Sequence, residues 1–214
     1  MLFRSIDPEC IDITKEKIDN LNNIEFIKGD VLKVGFPKDL QHKFQVVANI
    51  PYYISAKIIK LLISNRERLS KAYIMVQKEF AEKLLAKPGE KDYTSLSVFT
   101  SYYMSVTKEF LVSKHCFKPE PKVDSAVISL QPKKIENDID EEIFFSIIQS
   151  AFWGRRKTLM TCLSKSPFIT FDKSFKEIAF FQKEKQRRGE TLSLDEFKFL
   201  YTQLKPFVKA INPR

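Results

Sequence analysis

Apolar residues in this chain gather into short runs separated by stretches with helical spacing. Ile24-Glu25-Phe26-Ile27, Phe44-Gln45-Val46-Val47-Ala48 and Ala72-Tyr73-Ile74-Met75-Val76 have the length and density of buried strands. Ile11, Thr14, Ile18 and Leu21 recur on one helical face behind Asp7, which can cap a helix with Pro8 in its first position. Ile58, Ile59, Leu62 and Ile63 do the same behind Ser55, a candidate cap. Residues 79–86 and 95–103 read as helices, with a turn at Lys87-Pro88-Gly89-Glu90 between them. Further strands are expected over 106–112 and 125–130. Strands alternating with helices in this way predict a mainly parallel sheet with covered faces, an α/β fold.

After about residue 132 the pattern changes. Ile143, Phe144, Ile147, Ile148, Ala151 and Phe152 share one helical face, with Asp138 as the expected cap and Glu141 in capping-box register. Helices are expected near 155–163, 173–180 and 194–204, and no strand. The expected organisation is an α/β unit over 1–132 and a small all-helical unit over 133–214.

Composition narrows the class of partner. With 43% hydrophobic residues and 19 Phe among 214 residues, the chain can bury a substantial core, which argues against disorder. The 36 Lys+Arg against 27 Asp+Glu leave a net charge of +9, which suits a polyanion such as nucleic acid. Cys10, Cys116 and Cys162 are far apart and form no CxxC, so neither a metal site nor a disulfide framework is indicated. A monomer in the cytoplasm is the expectation, since no apolar run is long enough to cross a bilayer. Only 5 glycines is few for an α/β protein.

Three stretches carry candidate chemistry. Asn49-Ile50-Pro51-Tyr52 closes an apolar strand, at the edge where open α/β sheets bind ligands. The exocyclic amine of adenine is a poor nucleophile because its lone pair is delocalised into the ring. An Asn oxygen and a carbonyl fixed by the following Pro can each accept one of its N–H bonds, favouring a more nucleophilic nitrogen, while Tyr52 offers a stacking face. Taken alone, the tetrad also reads as a Pro-ended strand with Tyr as core filler. Gly29-Asp30-Val31 follows a second strand, and its Asp can accept from a cofactor's adenine amine or simply form a turn. With Asn49 at the next strand end, it is expected to form a nucleoside pocket. In Phe117-Lys118-Pro119-Glu120-Pro121 two prolines stiffen the chain, which would hold Phe117 opposite Tyr52 as a base clamp or as a lid on the core. Basic residues cluster later, at Arg155-Arg156-Lys157 and at Lys183, Lys185, Arg187 and Arg188. Arg155 and Arg156 are placed at the start of an expected helix, where acidic residues are normally favoured, a cost that makes sense if phosphates approach there.

Together, Asn49-Ile50-Pro51-Tyr52, Val76-Gln77-Lys78-Glu79, Phe117 to Ala126 and Arg155-Arg156-Lys157-Thr158-Leu159 resemble, in order and spacing, the ribosomal RNA small-subunit adenine dimethyltransferases. The resemblance implies a Rossmann-like catalytic sheet with a small helical domain behind it, and S-adenosylmethionine as methyl donor without a metal. It further implies transfer to the N6 amines of two adjacent adenosines near the 3′ end of small-subunit rRNA, during ribosome biogenesis. Asp30 matches the position that binds the cofactor's adenine, with Gly29 and Val31 beside it. Asn49 matches the residue touching cofactor and target amine, Ile50, Pro51 and Tyr52 complete that motif, and Phe117 matches the second stacking aromatic. Arg155, Arg156 and Lys157, with Arg187 and Arg188, fall in the part implicated in rRNA contact.

The chain also departs from the family. The family's first strand and Gly-rich loop are not seen, so the chain reads as an N-terminally shortened member. Ser5 stands where an acidic residue grips the cofactor's ribose, Thr94-Ser95 where a Gly usually follows the aromatic residue, and Thr161 where Asn is common. Unpaired strand edges, exposed apolar faces, poor cofactor binding and little or no methyltransferase activity of this chain are expected in consequence. Rival readings are a large-subunit rRNA adenine methyltransferase, a non-catalytic RNA-binding or assembly factor, and a DNA-binding role.

Overall fold

A computed structural model describes residues 1–18, 23–37, 42–135, 138–154 and 156–212. Helix α1 (Pro8–Lys17) begins as expected: Asp7 accepts from the Glu9 N–H at 2.9 Å, and Pro8 sits where a missing N–H costs nothing. Ile11 of its apolar face is buried, while Leu21 lies outside the described residues. The helix links β1 (Leu2–Ser5) to β2 (Glu25–Lys28), which pair in parallel as a two-stranded sheet.

A second sheet has the order β3-β4-β6-β5, from β3 (Phe44–Asn49), β4 (Leu69–Gln77), β5 (Met104–Val112) and β6 (Ser125–Pro132). Helix α3 (Ser55–Ser64) connects β3 to β4, which run parallel; α2 (Val31–Val34) precedes β3. β6 is antiparallel to both β4 and β5, so the sheet is mixed rather than mainly parallel. The reason is local. β5 and β6 are joined by a loop without a crossover helix, and neighbouring strands joined so directly run antiparallel.

The covered-face expectation holds for one side only. Ala72, Ile74 and Val76 of β4 are fully buried in a core shared with α3, α4 (Lys78–Leu85) and α5 (Ser95–Tyr103). On β3, alternation turns Val47 to the opposite face, where it is 83% exposed. Among the described residues β1 and β3 are each paired along one edge.

An aromatic cluster ties the sheet unit to the C-terminal part. Tyr102 and Tyr103 of α5 meet Phe144 and Phe145 of α6 (Glu141–Phe152), with ring centroids 5.2–5.5 Å apart. Such pairs add about 0.5–1.5 kcal/mol each beyond area burial. Burial, then the negative charge of nearby acids, raises the Tyr102 phenol, and burial followed by a bond to Glu141 raises that of Tyr103.

Helix α6 is capped by Asp140 rather than Asp138, its carboxylate accepting from Glu142 and Ile143 N–H at 3.1 and 3.2 Å. α7 (Leu159–Ser164) starts later than expected, because Thr158 caps it and accepts from Thr161 N–H. α8 (Ala179–Lys183) follows a 3-10 turn, and α9 (Leu194–Leu204) falls where expected behind a Ser193/Glu196 capping box. This part is not wholly helical. β7 (Ile169–Phe171) and β8 (Val208–Ile211) form an antiparallel pair. Strands this short carry too little alternation to read from sequence, and only tertiary closure supplies the partner.

Gly189 packs directly on α6. A Cβ there would lie 2.3 Å from the Ala151 carbonyl oxygen, so backbone has to shift. Gly189→Ala is expected to cost about 1–3 kcal/mol in urea unfolding, the usual penalty for overpacking; an unchanged midpoint would show that the contact yields freely.

Candidate active site

The register of β3, β4 and β6 sets one working edge. Asn49 pairs with Met75, and Gln77 with Ser125, so Asn49, Gln77 and Ser125 sit at neighbouring strand ends. Asn49 is exposed, and its amide has no partner among the described residues. Ile50 is buried beside it at 8% exposure and anchors the turn. Pro51 then leads into a 3-10 turn, Tyr52–Ile54. The Tyr52 hydroxyl bonds Ser125 Oγ at 2.6 Å, holding the ring over the edge. Ser55 is not the helix cap expected: its hydroxyl donates back to the Tyr52 carbonyl at 2.8 Å, locking the turn from below.

The Phe117 loop is anchored on the residue next to Ser125. Asp124 accepts from the Lys114 N–H at 3.0 Å, and its carbonyl accepts from the Lys78 N–H at 3.0 Å. Glu120 folds back on Lys114 and His115 at 3.1 and 3.0 Å. Hydrogen bonds from Lys114, then His115, hold the Glu120 carboxyl below its ordinary range. Phe117 is half-buried at the end of the 3-10 turn Lys114–Cys116, and the Lys118–Pro119 bond is cis. Among the described residues, neither the Tyr52 nor the Phe117 ring packs on another aromatic ring.

Ser5, Gly29, Asp30 and Val31 meet at the ends of the parallel pair β1 and β2. The Gly29 N–H donates to the Ser5 carbonyl at 2.9 Å, and Ser5 Oγ accepts from Asp7 N–H at 3.1 Å. Asp30 caps α2, with Oδ1 accepting from Leu32 N–H at 2.9 Å; Oδ2 is without a partner among the described residues. The ends of β2 and β3, expected side by side, belong to different sheets, since β2 pairs with β1 and β3 with β4. Adjacency in sequence does not decide adjacency in a ladder.

The basic segments are brought together by one backbone bond, Leu159 N–H to the Arg187 carbonyl at 2.7 Å. Arg156 and Lys157 are exposed and precede α7 rather than opening it; Arg155 lies outside the described residues. Lys157 Nζ stands 4.7 Å from the Trp153 ring centroid. Arg188 is exposed, with its side chain unpaired among the described residues. Arg187 is committed internally: it donates to Thr191 Oγ1 at 2.8 Å and to Glu196 at 2.5 Å, and lies 3.7 Å from Glu184. It braces the loop against α9 and is not a free cation. Sequence reasoning missed Ser125 and Asp124 as supports, although both lie inside a motif stretch that carried the resemblance.

An exposed Asn49 and a hydrogen-bonded Tyr52 at one strand end of a mixed α/β sheet are compatible with a base-modifying methyltransferase. The family model for ribosomal RNA adenine dimethylase matches residues 5–194, and the chain belongs to that family. It is 38% identical over 212 residues to the ribosomal RNA small subunit methyltransferase A of Bacillus cytotoxicus, covering 94% of this chain and 73% of that protein. The corresponding protein of Clostridioides difficile is 36% identical over 202 residues, covering 91% and 70%. A crystal structure of a dimethyladenosine transferase from Plasmodium falciparum superimposes with a TM-score of 0.81 at 28% identity, over 97% of this chain and 83% of that one. The 23S rRNA methyltransferase ErmE shares the fold, with a TM-score of 0.70 at 23% identity over 95% and 81%.

The Arg187–Glu196 pair makes a stability prediction. Burial alone would raise the Glu196 carboxyl, but bonds from Ser193 and the charge of Arg187 bring it below its ordinary value. A depressed carboxyl contributes stability above the usual carboxylate range, and that contribution disappears as pH falls through the folded value. Arg187→Ala is therefore expected to cost about 1–2 kcal/mol at neutral pH, allowing for partial solvent screening. The gap to the unaltered protein should shrink on acidification; a pH-independent gap in denaturant melts would assign the loss to packing instead.

Proposed function

We propose that the chain binds small-subunit rRNA and aligns two adjacent adenosines near its 3′ end for N6 dimethylation from S-adenosylmethionine, in ribosome biogenesis. The observation that carries this reading is the Tyr52–Ser125 bond, which holds an aromatic face next to an exposed, unpaired Asn49 amide. Asn49 Oδ1 and the Ile50 carbonyl accept the N–H bonds of the target amine, Tyr52 stacks on the base, and Phe117 closes from the adjacent anchor. No general base is assigned, because an N-methylated aminopurine cation is acidic enough to release its proton to water. The protein contributes alignment, which is proximity and orientation catalysis.

The chain fits one end of the cofactor better than the other. Asp30 Oδ2 is free to accept from an adenine amine and Asn49 is open beside the edge. Ser5 is uncharged and cannot grip two ribose hydroxyls, and its Oγ already accepts from Asp7. When bound, S-adenosylmethionine supplies a methyl group on a positively charged sulfur. Losing grip on the cofactor's ribose weakens binding, which raises the half-saturating cofactor concentration, and any part of that grip used for orientation is lost from turnover as well.

Calorimetry on the 214-residue chain is expected to show S-adenosylmethionine binding weaker than low-micromolar; low-micromolar affinity would remove this account of Ser5. With excess labelled cofactor and small ribosomal subunits lacking the modification, slow transfer should map to two adjacent adenosines. Asn49→Ala should reduce that transfer by about 100-fold or more, since misalignment alone can cost that much. Label on large-subunit rRNA would favour the rival branch. A cofactor-independent effect on subunit assembly would favour the non-catalytic reading, which the uncharged Ser5 supports.

Arg155, Arg156, Lys157 and Arg188 are the proposed phosphate-binding residues. Neutralising Arg155, Arg156 and Lys157 together should lower RNA affinity and flatten the log–log salt slope by about 2–3, roughly 0.9 for each phosphate no longer neutralised. An unchanged affinity and slope would make the run a solvated face.

A further inference from the structure

We propose a second base-binding site, away from the Asn49 edge: the cleft beside Trp153 takes one unpaired RNA nucleobase. The proposal rests on the RNA-binding reading above and deepens it. Trp153, the single tryptophan of the chain, directly follows α6 as its C-terminal cap residue and is 45% exposed. Lys157 Nζ lies 4.7 Å from its ring centroid, so a cation that can meet a phosphate is already docked on the indole. Trp153 also lines a cleft of about 300 Å³ with Ser95, Gln149, Phe152 and Phe168. That volume is at the low end for ligand clefts (about 300–1,000 Å³), which favours a single planar group over a larger guest.

Gln149 supplies the polar edge. Its Oε1 is buried and has no hydrogen-bond partner among the described residues. A buried, unpaired amide oxygen is costly, and a ligand N–H that reaches it removes the cost. Gln149 presents acceptor and donors in one plane, as a base edge does. The remaining lining is aromatic or a small hydroxyl; Ser95, Gln149 and Phe168 also border a larger neighbouring cleft, where Glu141 and Glu142 are offset by Lys60 and Arg66. Arg156 and Lys157 are exposed on the adjoining segment. Aromatic walls, one planar polar group and flanking cations are the recognition chemistry of an extruded nucleotide. A purely apolar peptide would leave Gln149 unpaired and the cations unused.

Having one tryptophan makes the test direct, because emission reports this cleft alone. A fluorescein-labelled RNA hairpin with an unpaired loop, titrated into the intact chain at low salt, should raise anisotropy and quench Trp153 emission in parallel. A fully paired duplex should bind by charge without the quench. Trp153→Ala should weaken hairpin binding about 5–150-fold, the range of one base stack, while Trp153→Phe retains most of it. Gln149→Leu should weaken binding and leave the quench in place. Hairpin binding with unchanged emission and an unaffected Trp153→Ala would overturn the cleft and leave the RNA-binding reading standing. No anisotropy change with any RNA would overturn both. Should Trp153→Ala fail to fold in a melting check, the emission of the unaltered chain decides.

Discussion

A hydroxyl-to-hydroxyl bond between Tyr52 and Ser125 is the interaction on which the working edge depends. Its own free energy is modest, about 0.5–1.5 kcal/mol. Its importance is positional. Ser125 is fully buried at the start of β6, and β6 is held on both sides by β4 and β5. Strand pairing therefore fixes Ser125, Ser125 fixes the Tyr52 ring, and the ring leaves Asn49 as the free polar group at the edge. Asp124, one residue earlier, fixes the loop that carries Phe117. Both candidate stacking aromatics thus inherit their positions from two consecutive residues at the start of one central strand.

The cofactor side has less support. Asp30 spends one oxygen on capping α2, and Ser5 spends its hydroxyl on the turn into α1. Among the described residues the two sheets are separate, and Val47 is exposed on a strand whose sequence reads as buried. An apolar side chain left in water on a central-looking strand forgoes the burial that the rest of the sheet obtains. The proposed target edge is therefore held by more internal bonds than the proposed cofactor end.

In the helical part, charge and structure divide the basic residues between two roles. Arg187 is satisfied by Thr191, Glu184 and Glu196 and braces the fold. Arg188, its neighbour, is exposed, as are Arg156 and Lys157 on the segment tied to it through Leu159. A run of cations in sequence says nothing about this division, because it follows from which guanidinium finds acceptors within reach.

Much of the fold was legible from one-dimensional signals whose causes are local. Period-two and period-3.6 patterns placed β3, α5 and α9, the Asp7-Pro8 pair placed α1, and the ordered motifs pointed to the Asn49 edge and its family. What sequence could not settle was pairing. The antiparallel insertion of β6, the separation of the β2 and β3 ends, the β7–β8 pair and the meeting of residues 159 and 187 all depend on interactions between distant segments. The removal of Arg187 from the candidate interface has the same origin, and the shift of capping from Asp138 to Asp140 shows how a two-residue slip hides among similar acids. Local chemistry determined which residues are suited to hold a base. Tertiary structure decided which remain free to do so, because a polar group is available only when folding has not already supplied its partner.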